Sequence, residues 1–415
     1  MKTDTIAAIA TAMAGSGIGI VRISGEEAVS ITDQIFHMPG GKKLSDMETH
    51  TIHYGHIRDG EEVIDEVMVL LMRGPRSYTR EDTVEIDCHG GVYVMKRILE
   101  TVIKYGARPA EPGEFTKRAF LNGRIDLSQA ESVIDVISAK NEFALKSSMK
   151  QLSGAVSDAV KEIRGEILHE IAFIESALDD PEHISLDGYG ERLELTIEGA
   201  VDRIEKLLAS SDNGRILKEG ISTVIVGKPN AGKSSLLNTL LGEERAIVTE
   251  IAGTTRDVLE EQINLNGIVL NIIDTAGIRD TDDIVEKIGV DKARKYVKDA
   301  DLILYVVDAS TNLDENDREI MELLHGRRTI VLLNKSDLTP LTTAEDIRAH
   351  VDKDCPVISI SAREQKGIDV FTEQIREMFF RGEVTFNDEV YITNIRHKTA
   401  LQEALSSLHL VEQSI

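Results

Sequence analysis

Apolar residues in the first 124 positions occur in short runs that are typical of half-buried β-strands. The runs are Gly19 to Ile23, Glu66 to Met72 and Thr83 to Asp87. They alternate with stretches of helical periodicity at 92–105 and 116–121. Strands and helices mixed in this way predict an α+β domain over residues 1–124.

The next stretch has a different period. Apolar residues recur every three or four positions from Leu127 to Leu178, which predicts helices. A break at Asp179-Asp180-Pro181 precedes a second amphipathic helix, Glu191 to Ser210, and a third follows much later, from Asn394 to Val411. The last helix has no partner nearby in sequence. We therefore expect one helical bundle, residues 125–214 and 381–415, interrupted by an inserted domain.

The inserted segment, residues 215–380, returns to buried-strand patterns. The run Ile221 to Val226 is followed by a helical stretch from Ser235, and further strands are predicted at 269–273, 329–333 and 357–360. This order predicts an α/β domain. A chain of 415 residues is also too long for a single core, so several domains are expected.

A phosphate-binding loop joins the first strand of that domain to its helix. Residues 227–234 read Gly-Lys-Pro-Asn-Ala-Gly-Lys-Ser, which fits G-x-x-x-x-G-K-[ST]. Backbone N–H groups of such a loop wrap a polyphosphate; Lys233 would reach the β and γ oxygens and Ser234 a magnesium ion. The predicted phosphate contacts are Asn230, Ala231, Gly232, Lys233, Ser234 and Ser235.

Four further motifs follow in the order expected of a GTP-binding domain. They are Gly253-Thr254-Thr255-Arg256-Asp257, Asp274-Thr275-Ala276-Gly277, Asn334-Lys335-Ser336-Asp337 and Ser361-Ala362-Arg363. Thr255 would complete the magnesium shell, and Asp274 would face the hydrated metal. An aspartate at 337 can accept hydrogen bonds from two donors of guanine that adenine lacks. These motifs identify an inserted P-loop GTPase domain in a multidomain chain.

Ile278 follows the Asp274–Gly277 motif, where Ras-type GTPases have the glutamine that orients the attacking water. Hydrolysis must therefore be organised by other groups. A nucleotide switch that does not hydrolyse GTP and only recruits partners is an alternative.

The chain resembles the MnmE (TrmE) family of potassium-dependent tRNA-modification GTPases. The resemblance includes residues 227–238 and 251–257, and outside the GTPase domain it includes residues 21–25, 88–91 and 112–124. It covers nearly the whole chain. A ribosome-assembly GTPase resembling Era or Der shares the loop sequence but leaves residues 1–214 unexplained.

The resemblance implies a potassium ion held against the phosphates by Asn230 and the carbonyls of Thr249, Ile251 and Thr254. Glu286 would orient the attacking water through a second water, and Arg279 would steady the switch. From the residues alone, Glu286 is a solvated position on a helix at 285–297, and Arg279 is a surface charge. The remaining GTP contacts implied by the family lie between Thr249 and Thr255: Glu250, Ala252 and Gly253.

The resemblance also implies a folate pocket and partners. Arg22, Glu85 and Arg124 would bind a 5-formyl- or methylene-tetrahydrofolate in the N-terminal domain. Family members form homodimers through that domain. With the FAD-dependent protein MnmG (GidA) they form a heterotetramer that modifies C5 of the wobble uridine of certain tRNAs. From sequence alone the three side chains are ordinary surface charges.

The acidic net charge of the chain is unfavourable for binding the phosphates of tRNA. The net charge is −25, although residues 1–126 hold 15 Lys and Arg against 19 Asp and Glu. Either a local basic patch of Lys117, Arg118 and Arg124 contacts tRNA, or a partner protein supplies most of the affinity, which we favour.

Other features indicate a cytoplasmic enzyme that does not span a membrane. No stretch of eighteen apolar residues occurs, and the two cysteines, Cys88 and Cys355, fall in different predicted domains, as expected of reduced thiols. The family continues for several helical turns to a Cys-x-Gly-Lys tail, whereas this sequence stops at Ile415. We therefore expect the second part of the bundle to be incomplete.

Overall fold

A computed structural model describes residues 4–243, 261–273, 300–380 and 392–415. The chain divides into two compact units, residues 1–134 with 152–157, and residues 135–151 with 158–415. The predicted domain boundaries at 124/125, 214/215 and 380/381 stay predictions.

The first unit is built on a seven-stranded sheet with the order β3-β4-β5-β6-β2-β1-β7. All neighbouring strands are antiparallel except β1 and β7, which run parallel. The strands are β1 (Ile6–Ile9), β2 (Ile18–Ser24), β3 (Phe36–His37), β4 (Thr51–Asp59), β5 (Glu62–Met72), β6 (Thr83–His89) and β7 (Arg108–Pro109).

Helices cover one face of this sheet. The helices α1 (Ala28–Ile35) and α2 (Val92–Lys104) pack on the sheet, and α3 (Glu114–Leu121) follows β7. Alternate strand residues such as Val84, Ile86 and Cys88 point into the core with the apolar side chains of α1 and α2. The intervening residues, including Glu85 and Asp87, point to the other face. The α+β prediction is confirmed.

Four helices follow along the chain: α4 (Leu127–Ile137), α5 (Glu142–Leu152), α6 (Ala155–Asp179) and α7 (Tyr189–Glu219). The helix α7 is longer at both ends than the predicted 191–210. It starts after Gly188, which has φ +71°, and ends at Gly220, which has φ +87°. Glycine adopts backbone with positive φ at little cost, so Gly188 and Gly220 bound the helix at its N-terminal and C-terminal ends.

The second unit contains a six-stranded sheet with the order β13-β12-β11-β8-β10-β9. All pairs are parallel except the β9–β10 hairpin. The elements are β8 (Ile221–Val226), α8 (Lys233–Glu243), β9 (Glu261–Leu265), β10 (Ile268–Ile272), β11 (Leu302–Asp308), α9 (Glu315–Leu324), β12 (Thr329–Asn334), α10 (Ala344–Arg348), β13 (Val357–Ser359) and α11 (Ile368–Phe380).

Helices lie on both faces of the sheet, as a parallel sheet requires. Leu236 of α8 and Phe371 of α11 belong to one core cluster, whereas Met321 of α9 and Ile347 of α10 belong to the other. The predicted α/β fold is confirmed.

The last helix, α12 (Ile395–Glu412), packs on α7 although the α/β domain separates them in sequence. Just before α12, Ile392 N donates to Ser210 Oγ at 3.2 Å and Gln151 Nε2 donates to Thr393 Oγ1 at 3.0 Å. These contacts join the chain after the α/β domain to the helices before it. They agree with the predicted insertion of the GTPase domain into a helical bundle.

Candidate functional site

The phosphate-binding loop lies where β8 ends and α8 begins. Gly227 has φ +151° and Gly232 has φ +99°, which other residues rarely adopt. A Cβ at Gly227 would overlap the carbonyl oxygen of Val306, and one at Gly232 would overlap Nδ2 of Asn334. Only glycine therefore fits these two positions, and the backbone between them forms a cradle in front of the N-terminus of α8.

Lys233 is the first residue of α8. Its Nζ donates to the carbonyl oxygens of Gly227 and Lys228, both at 2.7 Å. Burial lowers the pKa of this ammonium. A polyphosphate in the cradle would oppose that shift, because a nearby anion stabilises the charged form. The N-terminus of α8 adds favourable dipoles for the same anion.

The loop is hydrogen-bonded to the strand ends that carry the predicted guanine motifs. Asn334, only 3% exposed at the end of β12, donates from Nδ2 to the carbonyl oxygen of Ala231 at 2.9 Å. Its Oδ1 accepts a hydrogen bond from the N–H of Ala362 at 3.0 Å. The hydroxyl of Thr239, on α8, donates to the carbonyl oxygen of Ala362 at 2.7 Å. One asparagine therefore fixes the phosphate loop relative to the 361–363 loop.

Asp337 is exposed beside these loops, as a base-reading carboxylate must be. Ser361 Oγ donates to its Oδ1 at 2.7 Å, and this hydrogen bond is the main cause of its lowered pKa. Arg363 contributes a smaller electrostatic effect. Lys335 has φ +63°, and its Nζ pairs with Asp308 Oδ2 at 2.5 Å. The hydrogen bond from Ser361 therefore favours the charged form of the Asp337 carboxylate and orients it.

The sequence prediction missed an ion-pair network that holds Lys228 of the phosphate loop. Lys228 Nζ lies 2.6 Å from Asp317 Oδ2 and 2.9 Å from Asp314 Oδ2. Asp317 is 2% exposed and also accepts from the Tyr305 hydroxyl at 2.9 Å. The partners of Lys228 are 86 or more residues away, so no local pattern pointed to them.

The predicted switch residues lie outside the described residues. This applies to Thr249, Glu250, Ile251, Ala252, Gly253, Thr254, Thr255, Asp274, Thr275, Ala276, Gly277, Ile278, Arg279 and Glu286. Of the predicted potassium and magnesium ligands, the structure describes Asn230 and Ser234. Asn230 has φ +63° within the loop.

The three predicted folate residues lie close together in the first unit. Arg22 on β2 faces Glu85 on β6 in register, with Nε 2.5 Å from Oε1. The Tyr78 ring joins them to the third residue: its centroid is 5.6 Å from the Arg22 guanidinium and 4.7 Å from that of Arg124. Tyr78, hydrogen-bonded to Thr116 at 2.9 Å, was not predicted.

Asp87 extends this polar group along β6. Its Oδ1 is buried and has no hydrogen-bond partner among the described residues. Burial, assisted by the charge of Glu85, raises the pKa of Asp87. A ligand that donates hydrogen bonds, as the N–H groups of a pterin ring do, would satisfy such an oxygen.

Arg118 does not belong to an RNA-binding patch, so that prediction was wrong. The side chain is 8% exposed and pairs with Glu81 at 3.1 Å, Glu114 at 3.1 Å and Asp4 at 2.9 Å. Burial of a guanidinium requires such partners, and none of its charge is left for phosphate.

Two further observations bear on function. The described part of the chain contains no cluster of three or more His, Cys, Asp or Glu side chains able to hold a metal ion, and none of its helices could cross a membrane. Cys88 and Cys355 are both free thiols, as predicted.

Comparison with known proteins gives matches along the whole chain. Residues 5–124 match a family model described as "GTP-binding protein TrmE N-terminus", and residues 127–415 match "MnmE helical domain". The "tRNA modification GTPase MnmE" of Lachnoclostridium phytofermentans is 60% identical over 100% of this chain and 90% of its own length.

Two further matches are less similar to this chain than that protein is. The protein of the same name from Bacillus subtilis is 49% identical over 97% of this chain and 88% of its own length. A solved structure of Aquifex aeolicus Era bound to GDP and aluminium fluoride is 29% identical and covers 42% of this chain and 62% of its own, with a TM-score of 0.29.

Proposed function

The chain belongs to the MnmE (TrmE) family of tRNA modification GTPases, and on this premise we propose that it hydrolyses GTP to support modification at C5 of the wobble uridine of certain tRNAs. The observation that carries the GTPase part of the proposal is the asparagine-centred link between the phosphate loop and the two guanine loops. An Era- or Der-like role in ribosome assembly does not account for residues 5–124.

The described residues divide the work of GTP binding. The cradle from Gly227 to Gly232 would hold the phosphates, and Lys233 would exchange its two carbonyl partners for β and γ oxygens. Ser234 would hold magnesium, and Thr255 would complete the ion's shell. Asp337 would select guanine, while the N–H groups of the 361–363 loop would meet the guanine oxygen.

Hydrolysis would depend on a potassium ion. With isoleucine at 278, the family resemblance supports a mechanism in which Asn230 and carbonyls of Thr249, Ile251 and Thr254 hold the ion. Glu286 would then orient water, and Arg279 would steady the switch. A cation in this place takes the role of an arginine finger, worth about 10³ to 10⁵ in rate in other GTPases.

A one-carbon folate would bind in the first unit. The Arg22–Glu85 pair, the neighbouring ring of Tyr78 and the unpartnered oxygen of Asp87 support a ligand that has an aromatic, hydrogen-bond-donating ring. Arg124 would pair with the carboxylates of the glutamate tail. The folate would supply the carbon added to uridine.

Membership of the family also supports a proposal for the oligomeric state and the protein partner. The sheet of the first unit leaves Ile18, Ile52, Tyr54 and Met68 between 47% and 62% exposed. Four large apolar side chains exposed on one domain support a homodimer formed through it. The flavoprotein MnmG, with its FAD, would join this dimer as a heterotetramer in the cytoplasm, where tRNA and GTP are available.

Cation dependence tests the hydrolysis mechanism. GTP turnover should be fast in potassium and slow in sodium, because sodium is too small to span the same oxygens. Glu286→Ala should retain GTP affinity and potassium-induced dimerisation but lose turnover. Turnover that does not depend on potassium, or is unaltered in Glu286→Ala, would refute this mechanism.

Calorimetry tests the folate site separately. Arg22→Ala and Arg124→Ala should each weaken binding of 5-formyl-tetrahydrofolate and leave GTP affinity unchanged, because the GTP residues belong to the other unit. Absence of any heat of folate binding to the intact chain would remove the folate assignment without affecting the GTPase assignment.

A further inference from the structure

The β9–β10 hairpin lies in sequence between the two predicted motifs that would contact magnesium and the γ-phosphate. The strand β9 begins at Glu261, shortly after the predicted Thr255, and β10 ends at Ile272, just before the predicted Asp274. Glu261 and Ile272 are register partners, so the chain enters and leaves the hairpin at the same, open end. The position of the hairpin therefore sets where both motifs are attached.

The other end of the hairpin is a tight turn that extends beyond the neighbouring strand. Asn266 and Gly267 form the turn with φ +50° and +90°, and positive φ at both positions is the geometry of a type I′ turn. The Gly267 N–H donates to Oδ1 of Asn264 at 2.8 Å. In the described sheet, β10 pairs with β8 over residues 270–272 only. The turn end therefore needs support from outside the sheet.

A side chain from the helical segment before the α/β domain supplies part of this support. Phe143, the second residue of α5, packs on the core cluster that contains Ile263 and Leu265 of β9. A Cβ at Gly267 would overlap the ring of Phe143. The turn therefore rests directly against this ring.

The end of α7 holds the middle of the same hairpin. Asn271 Nδ2 donates to the carbonyl oxygen of Glu219 at 2.7 Å, and Asn271 Oδ1 accepts from Gln262 Nε2 at 3.0 Å. A Cβ at Gly220 would lie 2.8 Å from the carbonyl oxygen of Val269, so the chain leaving α7 runs close against β10. Asn271 therefore links both strands of the hairpin to the last turn of α7.

The opposite end of α5 belongs to the helical bundle. Gln151 Nε2 donates to Thr393 Oγ1 at 3.0 Å, just before α12, and the same hydroxyl lies 3.5 Å from Asp135 Oδ2 on α4. A helix rises 1.5 Å per residue, so about 12 Å separates Phe143 from Gln151 along α5. One short helix therefore connects the turn of the hairpin to the junction of α4 and α12.

We propose that Phe143 and Asn271 are positioning residues for GTP hydrolysis, which act through the β9–β10 hairpin on the two motifs that flank it. The inference rests on the proposed function and adds to it that helices outside the α/β domain set the rate. GDP lacks the γ-phosphate, and the loops that would hold it are fixed by Asn334. The two side chains should therefore matter for the γ-phosphate and for turnover, and not for GDP.

Binding of GDP, and of a GTP analogue with an imido group between the β and γ phosphates, tests the proposal on the full chain in magnesium and potassium. Phe143→Leu keeps an apolar side chain but removes the ring from the turn, and Asn271→Ala removes the hydrogen bond to α7. Each should lower the affinity for the analogue relative to GDP by about fivefold or more, the lower end of typical coupling between sites. The value of kcat should fall as well, whereas GDP affinity should stay unchanged.

Phe379→Leu is the matched control, because Phe379 belongs to the same core cluster as the hairpin and is 4% exposed. Its ring lies 5.1 Å from the guanidinium of Arg328 next to β12, and β11 and β8 separate β12 from β10 in the sheet. This variant should lower the free energy of unfolding and leave the ratio of analogue affinity to GDP affinity unchanged. An equal fall of the ratio in Phe379→Leu would show a general loosening of the core and overturn the proposal.

Hydrogen exchange of the α5 amides gives the reciprocal measurement, because equilibrium coupling between two sites acts in both directions. In the wild type the analogue should slow exchange in α5 more than GDP does, and Phe143→Leu should abolish the difference. Equal exchange with both nucleotides in the wild type, or an unchanged affinity ratio in both hairpin variants, overturns the proposal. A wild-type chain that does not hydrolyse GTP would refute the proposed function itself, whereas normal hydrolysis with an unchanged ratio refutes only this inference.

Discussion

Asn334→Ala should weaken the nucleotide-bound GTPase domain, because this side chain satisfies two buried backbone groups in different loops. The substitution leaves the Ala231 carbonyl and the Ala362 N–H without partners, and those residues are only 2% and 5% exposed. Each unsatisfied buried group costs about 1 to 3 kcal/mol. The free energy of unfolding of the GDP-bound domain should therefore fall by about 2 to 6 kcal/mol.

Urea titration at saturating fluorescent GDP measures this loss, with release of the nucleotide as the signal. Asn334→Asp is the informative companion variant. One of its carboxylate oxygens still accepts from the Ala362 N–H, but the other faces the Ala231 carbonyl oxygen and has no proton to donate. Thr239→Val removes the hydroxyl that donates to the carbonyl oxygens of Ala362 and Ser235, and it should cost about 1 kcal/mol. If Asn334→Ala costs no more than Thr239→Val, the proposed link between the loops carries no energy and the reasoning fails.

Three further predictions concern separate groups. Asp337→Asn should lower GTP affinity and raise affinity for xanthosine triphosphate, whose C2 carbonyl oxygen can accept a hydrogen bond from the asparagine amide. Competition binding measures this change, and an unchanged preference for GTP contradicts it. Lys228→Met leaves the buried Asp317 carboxylate without its cation and should lower the free energy of unfolding in urea by about 3 to 5 kcal/mol. Adding Asp317→Asn should restore part of this stability, and a double variant whose two losses simply add contradicts the pairing. The hydrogen bond from Arg108 lowers the pKa of Glu114 from 4.5 to about 2, so the ion pair's contribution to stability is present above pH 4.5 and is lost as the pH falls toward 2. Glu114→Gln should therefore flatten the pH dependence of the free energy of unfolding in that window, and an unchanged profile contradicts the assignment.

Motifs with local physical causes were predictable from the sequence. The strand Ile221–Val226 has the bounds that its apolar run predicts, and Lys233 begins the next helix. Gly227 and Gly232 have backbone conformations and close neighbouring atoms that exclude a Cβ, so the spacing of the two glycines in the motif reflects the geometry of the loop. Sequence alone could therefore place the phosphate loop, because its geometry is set by neighbours along the chain.

Other strands were missed because their patterns were ambiguous. The apolar run Ile6 to Ala14 forms a strand only as far as Ile9, where pairing with β2 ends. The run Leu302 to Val307 is the central strand β11, buried on both faces. A near-continuous apolar run is typical of such strands, and our predictions used this signal elsewhere in the domain but did not apply it to Leu302–Val307.

Long-range polar pairs were not predictable. Lys228 meets Asp317 across 89 positions of sequence, and Arg118 is buried by Asp4, 114 positions away. A charged residue looks the same in sequence whether it is solvated or paired, and only the fold decides between the two.

The central claim is that GTP hydrolysis by this chain supports wobble-uridine modification, and nucleoside mass spectrometry of tRNA tests it most directly. Cells that lack the protein should contain wobble uridine without the C5 group. The wild-type chain should restore the group, whereas Lys233→Ala, which removes the ammonium at the phosphate cradle, should not restore it. Normal modification in cells without the protein, or full restoration by Lys233→Ala, would contradict the account.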